Sequence, residues 1–529
     1  EVAYPSCLSA TSAVDWFTVS SIAGPPPPVL VPAPDVGDYA GAIAVALSWS
    51  AVVAPDADPV AYYVQIDDDP GFGSPNYVTT TWLTTATWTV TVGTNGNGQT
   101  WYWRVRARDT AHPYAMSAWS GVDSFIAWEY YWSSCPFIFV ATDQGYQYMS
   151  DMAGSVIGLP LADPLSQRIQ FYGPRYFKID QPAVDARGRI LVKLRETLAE
   201  ISYLDEIKLV AVDHPTDREV FDSTTENTAF YGYTNPATFY PVAQPRPPLA
   251  ARDAQGRDVT DALSQVDDVL APVEPGVDNY FDLDFGPIAD PANARLLIDG
   301  WNGSRPSASP VEPYIELRDA NGEWIVVRHF GQISGDLRTM VIPLSEMANT
   351  SSPEIRLHLG IRNKVQTVVD RVRLDDSAPV PIGWSEWPVA DADLHYRGAV
   401  PHTQPSLRGR GRAVDETTPD NPNAQGRGSF TRYGDVKPLL YQTDDMFVIM
   451  RHGDECTLEF ESPPLPPDSA RTYFLKADFY YKGLRYFGTD ADPLPFHGMS
   501  LYPYPDTEHY PDDAAHQQYR ADYNTRTYP

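Results

Sequence analysis

Chemistry in this chain would have to come from its carboxylates and histidines. Asp56 and Asp58 sit in one turn, and Asp67, Asp68 and Asp69 close the strand that follows. Five acids this near in sequence repel one another. A calcium ion, which takes six to eight oxygens, would relieve that repulsion. The run lacks the EF-hand spacing, and solvated acidic turns are the competing reading. The 10 histidines form no His-Glu-x-x-His motif and no two-histidine pair at i, i+2. Asp393 and His395 share a strand face. With His452, Asp454 or His497 from the same late block they would make a metal-dependent hydrolytic site. His214 ends a strand just before Pro215 and has no nucleophile at a useful spacing, so it reads as a turn-stabilising side chain. There is no Gly-x-Ser-x-Gly elbow and no phosphate-cradling glycine loop.

Charge and composition narrow the classes further. The chain has 529 residues, with 39 basic and 69 acidic side chains and a net charge of -30. Phosphate contacts need clustered Lys and Arg, so a nucleic-acid partner is disfavoured. An anionic membrane surface is disfavoured for the same reason. No stretch approaches the roughly 20 apolar residues of a spanning helix. Cys7, Cys135 and Cys456 are too few for a disulfide scaffold and fit no zinc or haem spacing, although one bridge such as Cys7 to Cys135 is open. A first residue of Glu, with acidity and many aromatics, fits an exported protein whose leader has been removed. Only 7 of the 39 basic residues are Lys. Arg's planar fork suits fixed pairing with carboxylates.

The elements that would position these groups are strands. Ile43, Val45, Leu47 and Trp49 alternate with small or polar residues, the period of a half-buried strand. Residues 62–66 make a second strand, and residues 88–92 run into the turn Asn95-Gly96-Asn97-Gly98. Residues 101–109 alternate strictly. Trp101, Trp103, Val105 and Ala107 face a core, while Tyr102, Arg104, Arg106 and Arg108 face solvent. Leu47-x-Trp49, Tyr62-x-Val64-Gln65-Ile66, Trp101 to Ala107 and Ser117-Ala118-Trp119-Ser120 together resemble a fibronectin type III domain over residues 38–127. That resemblance implies a seven-strand sandwich, a module that spaces or binds more often than it catalyses.

Strand patterns continue beyond it. Residues 137–140 and 143–148 read as a hairpin, as do 314–318 with 324–328 and 447–450 with 455–460. Residues 190–195, 200–205, 207–215, 294–301, 340–344, 354–361, 367–374 and 473–481 read as further strands, with a short helix near 259–266. Residues 401–430 are a long Gly, Pro and Arg-rich arm that should wrap on a surface. Residues 493–529 read as an extended Tyr/Pro ribbon, because Pro denies it a regular helix. Cys135-Pro136-Phe137, Asp299-Gly300-Trp301, residues 203–215, 392–398, 431–440, 450–455 and 493–499 resemble an uncharacterised C-terminal region of large secreted bacterial proteins that carry ASPIC/UnbV-type repeats. It implies no established chemistry.

The expected fold class is all-β: several β-sandwich modules in series with long Pro/Gly-rich loops. The expected divisions are an extension and linker (1–37), the fibronectin-like sandwich (38–127), a β-rich domain (128–277), a sandwich (278–380), a β-rich domain with a long loop (381–492) and the ribbon (493–529). The expected role is non-catalytic: a secreted or cell-surface structural subunit, of a filament or sheath for example, that associates with itself or with other surface proteins. Trp16, Phe17, Tyr502, Tyr504, Tyr510, Tyr519 and Tyr523 are its expected assembly contacts. Glycan binding or adhesion is the second expectation and a metal-dependent hydrolase the third. Calcium is the one cofactor considered.

Overall fold

The computed structural model describes residues 22–33, 36–38, 42–93, 99–129, 136–152, 155–157, 174–197, 200–222, 238–267, 270–271, 278–304, 313–330, 337–350, 352–362, 365–398, 402–403, 413–414, 426–483, 490–497 and 509–529. The fold is predominantly β-strand, arranged as several sandwich-like modules. One α-helix occurs among the described residues. The chain divides into two compact units, 1–129 and 130–529.

In the first unit, a three-stranded sheet runs in the order Leu30–Val31, Ala42–Trp49, Thr87–Gly93. A five-stranded sheet runs Val36–Asp38, Asp123–Glu129, Gln99–Asp109, Val60–Asp67, Val78–Thr79. Alternation places the core as expected: Val45, Leu47, Trp49, Val64, Ile66, Trp103, Val105 and Phe125 are buried in one cluster. The opposite face of Gln99–Asp109 is not simply solvated. The Arg104 guanidinium lies 4.0 Å from the Phe72 ring and 4.4 Å from the Trp119 ring. Arg106 lies 4.7 Å from Trp119, and Arg108 lies 4.1 Å from Trp82. A guanidinium is weakly hydrated and stacks on aromatic faces, so three adjacent arginines become a half-buried ladder.

The second unit contains a sandwich whose strands come from both ends of the unit. One sheet runs Gly145–Asp151, Phe137–Thr142, Arg189–Arg195, Asp454–Glu461, Asp391–Tyr396, Gly434–Asp435. The other centres on Glu200–Pro215 and Ser469–Gly483, with Gly383–Pro388, Val448–Arg451, Arg175–Ile179 and Ser155–Val156 alongside. The segments 128–277 and 381–492, expected as separate domains, therefore share both sheets. Their inward residues, including Val140, Val192, Tyr203, Leu209, Leu394, Leu458, Leu475 and Phe479, form one core. The hairpin expected over 447–460 does not form. Val448–Arg451 pairs with the 200–215 strand, and Asp454–Glu461 crosses to the other sheet. The reason is geometric: both flanking segments bury apolar residues in the same core, from opposite walls.

A second sandwich is inserted between these halves. Its five-stranded sheet runs Ala250–Asp253, Tyr280–Asp284, Glu354–His358, Tyr314–Arg318, Trp324–His329. Its four-stranded sheet runs Arg338–Pro343, Arg295–Ser304, Val365–Asp375, Ile361–Arg362. Leu283, Leu296, Ile298, Ile315, Ile342, Leu357 and Val372 fill the space between them. The short helix expected near 259–266 is a single 3-10 turn, Asp261–Leu263.

The C-terminal stretch is not an extended ribbon throughout. No proline lies between Pro511 and Pro529, and Ala514–Tyr523 forms an α-helix. The Asp513 side chain caps it, accepting from the backbone N–H of Ala515 at 2.9 Å and His516 at 3.0 Å. Arg526–Tyr528 then pairs antiparallel with Gly428–Phe430. Of the 401–430 arm, only residues 402–403, which pair with 413–414, and residues 426–430 are among the described residues.

Candidate functional site

The five acids expected to hold calcium do not act together. Asp67 is fully buried and accepts from the backbone N–H of Asp69 and Ser74 and from the Ser74 hydroxyl. Asp69 accepts from the N–H of Gly71 at 3.0 Å and Gly73 at 3.3 Å, and Asp68 accepts from Asn76 Nδ2 at 2.6 Å. These are turn-building carboxylates. Asp56 and Asp58 instead join Asp109 and His112, and together these four could hold a metal ion.

Strand register builds that cluster. Val60 pairs with Asp109, so the turn before Val60–Asp67 lies beside the turn after Gln99–Asp109. Thr110 locks the two turns, donating its N–H at 2.9 Å and its hydroxyl at 2.8 Å to the Pro59 carbonyl. Ala57 sits at a φ of 64°, a left-handed position that brings Asp56 and Asp58 round the same turn. Asp109 Oδ1 accepts from the N–H of Ala111 at 2.7 Å and His112 at 3.1 Å. Its other oxygen meets His112 Nδ1 at 3.0 Å. Asp56 Oδ2 and Asp58 Oδ2 lie 3.5 and 3.7 Å from the same nitrogen.

Contact with the Asp109 side chain raises the His112 pKa despite partial burial, and Asp56 and Asp58 add to the rise. Burial opposes ionisation of Asp109, but the His112 side chain and two backbone N–H groups outweigh it and hold its pKa low. The sequence offered Asp56 and Asp58 but not Asp109 or His112. The signal available was Asp109-x-x-His112 at the end of a strand, which is weak without the strand pairing.

The late-block residues go to different partners. His395 Nδ1 lies 3.0 Å from Asp393, and its Nε2 lies 3.3 Å from Glu455. Lys193 and Arg195 pair with Glu455. Arg526 forks onto Asp454, with Nη1 to Oδ1 at 2.9 Å and Nη2 to Oδ2 at 2.6 Å. His497 lies 3.9 Å from Asp478. Among the described residues, no group of three or more His, Cys, Asp or Glu side chains converges here as it does at Asp56. His214 has the structural role its position suggests, with Nε2 2.9 Å from Thr472 Oγ1 and Nδ1 2.9 Å from the Pro215 carbonyl. Cys456 is a buried free thiol whose pKa burial pushes up; Cys7 and Cys135 lie outside the described residues.

Of the expected assembly contacts, Trp16, Phe17, Tyr502 and Tyr504 lie outside the described residues. Tyr510, Tyr519 and Tyr523 pack on the core of their own unit. Tyr519 is buried and donates its hydroxyl to the Phe447 carbonyl at 2.7 Å. Tyr510 donates to the Asp445 carbonyl at 2.6 Å.

One surface has no signature in the sequence. Trp324–His329 ends the five-stranded sheet and pairs on one side only among the described residues. Ile325 and Val326 on it are 46% and 50% exposed. Arg318 and Arg356 stack on Trp324 at 4.1 and 4.3 Å.

No family model matches the chain, and no curated protein does. Among solved structures, the chain is similar to the FN1–FN3 domains of chicken CNTN1, at 9% identity and a TM-score of 0.17, over 42% of this chain and 53% of that one. It is similar to a two-domain protein of unknown function from Bacteroides fragilis, at 7% identity and a TM-score of 0.16, over 67% of this chain and 95% of that one. It is also similar to the α-L-rhamnosidase from Dictyoglumus thermophilum, at 10% identity and a TM-score of 0.17, over 72% of this chain and 50% of that one. The chain thus spans about half the length of the first and third of these. At these scores the likenesses assign neither family nor activity. No helix among the described residues is long and apolar enough to cross a membrane.

Proposed function

We propose that this is a non-catalytic structural protein of the cell surface that associates with further copies of itself, with the fibronectin-like unit as a spacer. The observation that carries the reading is the edge strand Trp324–His329. It presents a hydrogen-bonding edge and two adjacent exposed apolar side chains, Ile325 and Val326. Natural sheets guard edges with charge, proline or bulges, because an edge left open pairs with another strand. Here the first four residues, Trp324, Ile325, Val326 and Val327, carry no charge, and Arg328 and a bulge at Val327 guard only the far end of the strand.

Charge use elsewhere supports a structural role. Arg356 forks onto Asp282 at 2.6 and 2.9 Å, and Arg471 onto Asp213 at 2.6 and 2.9 Å. Arg371 and Arg373 meet Asp299 at 2.7 and 3.2 Å, and Arg295 meets Asp375 at 2.9 Å. These pairs join neighbouring strands, so these particular charges hold sheets together. Secretion and a filament or sheath as the assembled form belong to the same proposal; calcium, the cation the acidic turns suggest, is disfavoured by the imidazole in the cluster. Negative-stain imaging of native material tests the reading. Ordered oligomers or fibres support it, and isolated particles at high concentration refute it.

Carbohydrate binding is the second reading. A groove of about 620 Å³ beside Arg175–Ile179 brings Tyr473, Pro182 and Leu465 together with Asp180, Gln181 and Glu219. Flat apolar surface beside carboxylates and amides suits a sugar ring. A glycan array decides it: binding that is lost in Tyr473→Ala supports it, and an empty array removes it.

A further inference from the structure

We propose that Asp56, Asp58, Asp109 and His112 bind a first-row divalent cation of the zinc class, in preference to calcium, at the rim of the N-terminal sandwich. This inference does not depend on self-association.

Hydrogen bonding alone does not account for the arrangement. His112 Nδ1 carries at most one hydrogen. It faces three carboxylate oxygens, of Asp109 at 3.0 Å, Asp56 at 3.5 Å and Asp58 at 3.7 Å. A hydrogen directed at Asp109 leaves the other two contacts unserved, and both are at or beyond the limit of a hydrogen bond. The three distances from His112 do fit a ligand shell. Four donors around a cation with bonds of about 2.1 Å stand about 3.4 Å apart along each tetrahedral edge. The three N···O separations bracket that value, and all four ligand atoms lie within 4.8 Å of one another.

The shell is also held in place. Asp109 is fully buried, and two backbone N–H groups fix its Oδ1. Its Oδ2, which faces His112 Nδ1, is thereby oriented as outer hydrogen bonds orient metal ligands. Thr110 ties the Asp56–Asp58 turn to the Asp109–His112 turn through the Pro59 carbonyl. The donor set decides the class of ion. Calcium takes six to eight oxygens and has no use for an imidazole nitrogen, which zinc, nickel and copper favour. A bound ion would join the loop before Val60–Asp67 to the loop after Gln99–Asp109 at one end of the sandwich.

The test uses the full chain after chelation and dialysis. Cobalt(II), a spectroscopic stand-in for zinc, is expected to give the intense visible bands of a tetrahedral site. Zinc is expected to raise the melting temperature at micromolar concentration, and calcium at millimolar concentration to leave it unmoved. His112→Gln is expected to weaken cobalt affinity by at least about tenfold and to abolish the zinc shift. Should that variant misfold by circular dichroism, Asp58→Asn on the exposed turn is expected to show the same loss. The proposal is overturned if neither cobalt nor zinc registers. It is equally overturned if calcium raises the melting temperature of the native chain and of His112→Gln alike.

Discussion

Replacing Arg526 by alanine will loosen the docking of the C-terminal helix and strand while both sandwiches of the second unit stay folded. Arg526 forks onto Asp454 at 2.9 and 2.6 Å, and the Asp454 side chain is fully buried. At about 3 Å and an effective dielectric near 20, two unit charges attract by about 5 kcal/mol. Desolvation offsets part of this. Truncating one partner of a buried pair costs about 3–5 kcal/mol, because the other charge is left uncompensated. Asp454 would still accept from Tyr433 at 3.0 Å and from the Arg451 N–H at 2.9 Å, so the lower end applies. About 3 kcal/mol is roughly a 100-fold change in the local opening equilibrium. Global melting is a poor reporter in a unit with two cores. Hydrogen exchange by peptide is a better one. Residues 426–432 and 514–528 should exchange roughly 100-fold faster in Arg526→Ala, with residues 200–215 unchanged. An acceleration below about threefold would show that the fork contributes nothing to the docking. Equal acceleration in both regions would show that the tail is not a separate latch.

Three further outcomes follow from the same geometry. Tyr519→Phe should loosen the tail by about 1–2 kcal/mol, because the Phe447 carbonyl loses a buried donor; the same exchange experiment reads it. Burial pushes the carboxyl of Asp205 up to about 9 and that of Asp445 to about 6, so both hold protons more tightly folded than unfolded. Their stabilising contribution is therefore intact below the ordinary value of 3.8 and is lost as pH rises through about 6 and about 9. Asp205→Asn should gain in melting temperature on the native chain as pH rises from 5 to 9, and a constant difference would refute the assignment. Arg106→Ala should destabilise the first unit through lost stacking on Trp119 and Tyr63, whereas Arg106→Lys should recover only part of it; full recovery by Lys would count against stacking.

Local pattern read well where one strand face meets one core. The alternation of residues 101–109 located Trp103 and Val105, and that of residues 354–361 located Ile355 and Leu357. It failed where the partner is remote. Glu200–Pro215 pairs with Ser469–Gly483, more than 250 residues away, and nothing in either strand specifies the other. The sequence pattern predicts two strands in residues 200–215, but the chain forms one strand, with a register shift between Leu204 and Glu206. Asp205 sits at that bulge, and its carboxylate accepts from the N–H of Asp444 and Asp445. The helix at Ala514–Tyr523 was hidden by the prolines before it, although Asp513 carried the capping signal. The cluster at His112 was half legible, because Asp109 and His112 reach Asp56 only through the register of Val60 with Asp109. The exposed edge at Ile325 and Val326 reads in sequence like any hairpin strand; its position at the end of a sheet is a property of the fold.

The most direct measurement is multi-angle light scattering of the native chain and of Val326→Lys over a concentration series. A lysine on the outer edge strand blocks strand addition, and Val326 is 50% exposed, so the fold has room for it. The native chain should grow in mass with concentration, and Val326→Lys should remain at the 58.8 kDa of one chain with an unchanged melting temperature. A native chain that stays monomeric throughout, or a variant that associates as the native chain does, would contradict self-association through this edge.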